Sequence, residues 1–114
     1  MDKLEQYQNI LADWLQDKAI LWSTPTNSLH TLPLVNQQQQ HFQLLQLGWQ
    51  TDTDYVHLCL YHLELRGEKI WIHANNTDQS ITEELISYGI EALDIVITFI
   101  NPVNVNEGYN ASTV

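Results

Sequence analysis

YVHLCLYHLELRGEKIWIH, residues 55–73, is the stretch that decides the fold of this chain. Residues 55–65 form the longest run with strand character, and both faces of its first half are apolar, as expected of a central strand. Arg66-Gly67 then predicts a tight two-residue loop that leads into a second strand, EKIWIH. The stretch therefore predicts a β-hairpin at the centre of a sheet.

The predicted loop fixes which residues of the hairpin face each other. Leu65 pairs with Glu68, Glu64 with Lys69, and His62 with Trp71. A one-residue slip would scatter the polar groups over both faces, which favours this register. One face is then expected to carry Cys59, Tyr61, Leu63, Leu65, Ile70 and Ile72, and the other His62, Glu64, Lys69, Trp71 and His73.

An amphipathic helix is predicted at residues 3–21. Asp2 followed by Glu5 has the spacing of a capping box, with Asp in place of the usual Ser or Thr. Apolar residues then recur every three or four positions, which puts them on one face of a helix that packs on the sheet. The predicted stripe comprises Leu4, Tyr7, Leu11, Trp14 and Leu15, followed by Lys18.

Turn signals and shorter apolar runs complete the chain. Pro33 limits the strand that contains it to a sheet edge or a strand end, because proline cannot donate a ladder hydrogen bond. The predicted elements are a turn at 23–28, a strand at 29–35, a polar loop at 36–41, a strand at 42–49, a turn at 50–54, a loop at 75–79, a helix from Ser80 to Gly89, a strand at 95–100 and an irregular tail at 103–114. The prediction is one α+β domain over residues 1–114, with a mainly antiparallel sheet of about five strands and the second helix toward an edge or end of it.

The charge balance argues against direct nucleic-acid binding. The chain of 114 residues has four Lys and Arg against 14 Asp and Glu, a net charge of −10. Binding to a phosphate backbone depends on clustered Lys and Arg that displace counterions. We therefore expect no strong contact with DNA or RNA, while a basic protein surface would be attracted.

No residue pattern points to a targeting signal or an activated thiol. The start of the chain lacks the apolar run of a signal peptide, and no run reaches the length of a membrane helix, so a cytoplasmic protein is predicted. Cys59 is the single cysteine and lies in an apolar run. A buried structural thiol is therefore favoured over a nucleophile.

No catalytic residue is predicted. The sequence has no Gly-x-Ser-x-Gly elbow and no glycine-rich phosphate loop, and Glu83 and Glu84 suit the start of a helix rather than an acid–base pair. His62, His73 and Glu64 share a predicted sheet face, so a small metal-dependent enzyme is the alternative. Because no helical His-x-x-x-His or Glu-x-x-His spacing supports it, neither a metal nor another cofactor is predicted.

Aromatic residues of the sheet are the candidate partner contacts. Trp49 follows Gly48 near a turn, and Trp71 lies on the mixed face of the hairpin together with His73. Aromatic side chains that cannot all enter one core often anchor an interface. Trp49, Tyr55, Trp71 and His73 are therefore the candidates for binding a partner, and the alternative is that a helix covers Trp71 in the core.

Several segments, in their order along the chain, resemble one known family. The segments are MDKLEQYQNIL, FQLLQLGW with its Gly48-Trp49 pair, YHLEL, GEKIWIHANNTD, ITEELISYGI and DIVITFINP. Together they are similar to the XisI family, the fdxN element excision controlling factors of cyanobacteria. The chain departs from the family pattern at Gln39–His41, at Thr77-Asp78 and at residues 100–104, where an Arg of the family pattern is replaced.

The resemblance implies a role in controlling site-specific excision of a DNA element. It also implies an XisH-like protein as partner, with a separate recombinase performing the reaction. No catalytic residue of the family can be carried over. Together with the charge argument, this favours a non-catalytic accessory protein that binds an XisH-like partner, and a homodimer through an exposed sheet face is a further expectation.

Overall fold

Five strands, two α-helices and a short 3₁₀ helix make up the structure, a computed structural model that describes residues 2–23 and 29–99. The elements are α1 (Lys3–Trp22), β1 (His30–Asn36), β2 (His41–Thr51), β3 (Asp54–Arg66), β4 (Lys69–Asn75), α2 (Ile81–Ser87), a 3₁₀ helix (Ala92–Asp94) and β5 (Ile95–Ile97). The strands lie in chain order, β1 to β4 antiparallel and β5 parallel to β4. This confirms the predicted α+β fold with a mainly antiparallel sheet, and β1, which contains Pro33, is an edge strand.

Helix α1 begins at its predicted cap and covers one face of the sheet. The Asp2 carboxylate accepts a hydrogen bond from the Glu5 amide at 2.7 Å. The buried stripe begins one turn later than predicted, because Leu4 is 41% exposed whereas Tyr7 and Leu11 are buried. Trp14 packs edge-on against Tyr61 of β3, with ring centroids 5.0 Å apart.

The β3–β4 hairpin differs from its predicted register by two residues. The turn consists of Gly67 and Glu68, whose φ angles of 61° and 59° are typical of a type I′ turn. Arg66 remains in the strand, so Leu65 pairs with Ile70 and Glu64 with Trp71 rather than with Glu68 and Lys69. A shift of two residues preserves the alternation, so the faces predicted for Glu64, Trp71 and Ile70 are unchanged.

Three register shifts interrupt the ladders of β3, and the one nearest the β2–β3 turn leaves Gln50 of β2 as an extra residue. Leu60 is an extra residue relative to β2, and His73 of β4 is an extra residue relative to β3. The bulge at Leu60 turns both Leu60 and Tyr61 into the core, which reverses the alternation before it. Cys59 is therefore half-buried on the opposite face, and its predicted place in the core was wrong.

Helix α2 belongs to the connection between β4 and β5, and it lies on the same side of the sheet as α1. Its Ile81 and Leu85 join the core cluster around Leu11. The helix ends as predicted at Gly89, where Gly89 N bonds to Ile86 O and Ile90 N to Leu85 O, a Schellman motif. Both helices cover one side, and we call the other side of β1–β4 the open sheet face.

The loops follow their predicted positions where the structure describes them. The polar loop at 36–41 is a turn of residues 37–40, and the turn at 50–54 narrows to residues 52 and 53. Residues 24–28 of the predicted turn after α1, the last residue of the predicted strand 95–100 and the tail at 103–114 lie outside the described residues.

A buried ion pair joins the two helices. Lys18 is only 7% exposed, and its ammonium group lies 2.5 Å from Glu84 Oε1 and 2.6 Å from Gln79 Oε1. Glu84 also accepts a hydrogen bond from the Trp14 indole at 3.1 Å. The sequence suggested only that Glu84 suits the N-terminal end of the α2 dipole. In the structure, the Glu84 carboxylate holds α2 against α1.

Glu84→Ala is expected to lower the free energy of unfolding by about 2–4 kcal/mol, because buried Lys18 loses its anionic partner and keeps only the Gln79 oxygen, and the Trp14 N–H loses its acceptor. Glu84→Gln keeps an acceptor oxygen and should lose less. Urea denaturation measures both, with exposed Glu83→Ala as the control. Equal stabilities of the Glu84→Ala and Glu83→Ala variants would contradict the role of the pair.

Asp94 makes stability depend on acid pH. Lys3 Nζ lies 2.6 Å from its carboxylate, and Tyr7 donates a hydrogen bond of 2.5 Å. These two contacts, Lys3 first, hold the pKa of Asp94 below its usual range. Because the folded pKa is lower than the unfolded one, the stabilisation is complete above the unfolded pKa of about 4 and disappears as the pH falls through the folded pKa.

The free energy of unfolding should therefore decline more steeply below about pH 4 in the wild-type chain than in Asp94→Asn, which has no carboxylate to protonate. Urea titrations over a pH series measure the two slopes. Parallel curves for the two proteins would show that Asp94 does not contribute to the acid dependence.

Cys59 is expected to react slowly. Burial raises the pKa of its thiol, so the nucleophilic thiolate is scarce near neutral pH. Iodoacetamide should alkylate Cys59 markedly more slowly in the folded chain than in the chain unfolded in urea, as followed by mass spectrometry. Equal rates, or a faster rate in the folded chain, would indicate an activated thiol.

Candidate functional site on the open sheet face

The structure brings the predicted polar residues together on the open sheet face and adds one more. His62 and Glu64 lie two residues apart on β3, and His73 lies on the neighbouring strand β4. From the other side, β2 contributes His41, which pairs directly with Glu64. We call His41, His62, Glu64 and His73 the histidine–glutamate cluster.

Sequence reasoning missed His41 because it assigned this residue to the polar loop. The strand in fact begins at His41 and presents alternate side chains to the open face from there onward. The alternation of His41, Gln43 and Leu45 against buried Phe42 and Leu44 was the signal that could have placed it.

The cluster is tightly packed. The ring centroid of His62 lies 5.1 Å from that of His41 and 5.0 Å from that of His73, and those of His41 and His73 are 6.2 Å apart. His41 Nδ1 lies 2.9 Å from His62 Nε2. On the other side, His73 Nε2 lies 2.8 Å from Glu64 Oε1, and His41 Nε2 lies 3.7 Å from Glu64 Oε2.

Neighbouring groups orient the cluster and set its charge. Thr98 Oγ1 lies 3.1 Å from His73 Nδ1, which directs Nε2 toward Glu64. The hydrogen bond from His73 is the main cause that lowers the pKa of Glu64, so the carboxylate stays ionised. Burial, followed by the nearby His73 and His41, lowers the pKa of His62 and favours its neutral form.

The side chains of the cluster satisfy one another through hydrogen bonds. Within residues 2–23 and 29–99, no group of three or more His, Cys, Asp or Glu side chains could hold a metal ion. Arg66 approaches Glu64 from the edge, at 3.9 Å. The cluster thus combines an ionised carboxylate with imidazoles at hydrogen-bond distance.

An aromatic pair lies at the far end of the β2–β3 hairpin. Trp49 and Tyr55 face each other across the two strands with ring centroids 5.1 Å apart, and their exposed fractions are 52% and 51%. Between this pair and the histidine–glutamate cluster, the strand alternation places further apolar side chains on the open face. These are Leu32 of β1, Leu45 and Leu47 of β2, and Cys59 of β3, while Leu34 of β1 lies in the same row as His62.

Trp71 is on the open face but is covered by Arg66. The Arg66 guanidinium lies 4.1 Å from the centroid of the indole ring, and the indole N–H donates to Arg66 O at 3.1 Å. Trp71 is therefore half-buried by its own hairpin and is not part of the core beneath the helices. Of the four predicted partner contacts, Trp49 and Tyr55 present the most exposed aromatic surface.

The described helices do not include a membrane span, because none of them is both long and apolar enough to cross a bilayer.

Comparisons with known proteins agree on one family. The family model described as "XisI protein" matches residues 1–108 of the chain. No curated protein sequence matches the chain significantly.

Two crystal structures of proteins from Anabaena variabilis ATCC 29413 have the same fold. A XisI-like protein is 24% identical and superposes with a TM-score of 0.79, covering 92% of this chain and 94% of that one. The fdxN element excision controlling factor XisI is 23% identical, with a TM-score of 0.74, covering 91% of this chain and 99% of that one. The family match over nearly the whole sequence confirms the resemblance, and the chain belongs to the XisI family.

Proposed function

We propose that this chain is a non-catalytic accessory factor that controls the site-specific excision of a DNA element by binding a protein partner through its open sheet face. The observation that carries the proposal is the sheet itself, whose helices lie on one side and leave Trp49 and Tyr55 exposed on the other. The process in this proposal, excision of a DNA element, comes from a protein of the same fold that is an fdxN element excision controlling factor.

The charge of the chain favours a protein contact over a DNA contact. Of its four Lys and Arg, Lys3 binds Asp94, Lys18 is buried against Glu84, and Arg66 stacks on Trp71. These three cations are therefore engaged within the fold and do not form a basic strip for phosphates. An excision factor with a net charge of −10 would act on DNA through another protein.

The partner we propose is an XisH-like protein with a basic surface. Aromatic and leucine side chains of the open face would supply the apolar centre of the interface, and the acidic charge of the chain would attract a basic rim. Binding would position or shield the nucleic-acid surface of that partner.

No reaction is needed for this role. Glu84, one of the two adjacent carboxylates of α2 considered as an acid–base pair, is bound by Lys18 and Trp14. Burial raises the pKa of the Cys59 thiol, which disfavours its nucleophilic form. We propose that residues 1–114 act as one domain in the cytoplasm without a catalytic residue. A homodimer through the open face would compete with the partner for the same surface.

Trp49→Ala and Tyr55→Ala are each expected to weaken the complex with the XisH-like partner by about 2 kcal/mol, about 30-fold in Kd, because each removes an exposed aromatic anchor. Co-expression and size exclusion show whether the complex forms, and calorimetry gives its Kd. Trp71→Ala should have a smaller effect, since Arg66 already covers that ring.

Leu93→Ala is the matched control, because Leu93 is 89% exposed on the 3₁₀ helix away from the open face. Clean separation of the two wild-type proteins on size exclusion would overturn the proposal. Tight, salt-sensitive binding of DNA by the isolated chain in a mobility-shift assay would overturn the argument from charge.

A further inference from the structure

We propose that the histidine–glutamate cluster is a pH-sensitive switch: hydrogen bonds hold its rings together at neutral pH, and mild acid separates His41 from His62 by protonating both rings. This inference goes beyond the proposed function, because the isolated chain either shows the change or does not, whatever partner it binds. Histidine is the side chain whose ordinary change of charge lies between about pH 5 and pH 8, and three histidines in contact make the cluster sensitive to this range.

The contact between His41 and His62 has room for only one proton between its two nitrogens. His41 Nδ1 lies 2.9 Å from His62 Nε2, so one nitrogen must donate and the other must accept. The Gln43 amide nitrogen, which can only donate, lies 3.3 Å from the same His62 Nε2. His62 Nε2 is therefore the acceptor, and His62 is neutral while the cluster is hydrogen-bonded.

This arrangement cannot survive once both rings are protonated. The two facing nitrogens would then each carry a hydrogen atom, and two positive rings would have centroids 5.1 Å apart. A charged His73 adds to the repulsion, since its ring centroid lies 5.0 Å from that of His62. The single carboxylate of Glu64 cannot offset three cationic rings, so the rings must separate.

The groups that face His62 come from three strands. His41 of β2 and His73 of β4 lie on either side of it, and Glu64 follows it on β3. Arg66 lies beyond Glu64, at 3.9 Å, and adds positive charge there. Burial, followed by His73 and His41, lowers the pKa of His62, while Glu64 acts in the opposite direction. The hydrogen-bonded cluster therefore resists protonation of His62.

His41 is the ring that moves. It is the first residue of β2 and follows directly on the turn of residues 37–40, whereas His62 lies within β3 and has a paired strand on each side. A depression of about 470 Å³, lined in part by His41, His62 and Gln43, lies beside the cluster and leaves room for the displaced ring. Acid would thus change both the shape and the charge of this end of the open sheet face.

His62 determines the sign of the effect on stability. Its pKa is lower in the folded chain than the ordinary value of about 6.5, so the unfolded chain binds more protons between these two values. The contribution of His62 to the free energy of unfolding therefore falls as the pH falls from about 6.5 to the folded pKa. This range lies above that of Asp94, whose contribution is lost below about pH 4.

An NMR titration of the wild-type full chain between about pH 8 and pH 5 tests the switch without a variant. The ring signals of His62 should titrate at lower pH than those of His30 and His57, which are exposed and lie outside the cluster. The nuclear Overhauser contact between the rings of His41 and His62 should disappear in the same pH step. Titration of His62 together with His30 and His57, or a ring contact that persists after His62 is protonated, overturns the proposal.

Urea denaturation over the same pH range supplies the second test. The denaturation midpoint of the wild-type chain should fall with acid relative to that of His62→Gln, because glutamine takes up no proton and leaves His41 without a charged neighbour at this position. His57→Gln is the matched control, an exposed histidine of the same strand, and it should follow the wild type. Parallel midpoints for the wild-type chain and His62→Gln overturn the proposal.

Discussion

Trp14 of α1 packs against Tyr61 of β3, and the two residues lie at the centre of the layer between the helices and the sheet. Because α1 and α2 both lie on this side, α2 fixed by the Lys18–Glu84 ion pair, the core occupies only one face of the sheet. Strand alternation, interrupted in β3 by the bulge at Leu60, then sends the alternate side chains of β2 and β3 to the other face. The open sheet face and everything on it follow from this one-sided packing.

The open face has two parts with different chemistry. The end near Trp49 and Tyr55 is aromatic and apolar, which suits burial against a protein surface. The end near Glu64 is polar, and its side chains are hydrogen-bonded to one another. Since the two parts lie on the same strands, a partner seated on the aromatic end would reach close to the histidine–glutamate cluster.

Much of this arrangement was predictable from residue patterns, and the parts that were not have identifiable causes. Alternation in the hairpin put Glu64 and Trp71 on one face correctly, even though the register was wrong by two residues, because an even shift preserves the faces. His62 pairs with Ala74 rather than with the predicted Trp71, a shift of three residues, and His73 contacts Glu64 from the bulge that adds the third. No Gly or Pro near Leu60 signals a bulge in the sequence, so the predicted position of Cys59 in the core was wrong. The alternation along residues 41–45 could have placed His41 on the open face, but only the β2–β3 register brings it opposite Glu64.

The central proposal for this chain is that a bound partner covers the open sheet face. Hydroxyl-radical labelling of the chain, alone and mixed with the proposed XisH-like partner, measures this coverage residue by residue. Labelling of Trp49 and Tyr55 should fall in the complex, while labelling of exposed Ile20 and Leu21 on α1 should be unchanged. Protection of Ile20 and Leu21 with unchanged labelling of Trp49 and Tyr55 would contradict it.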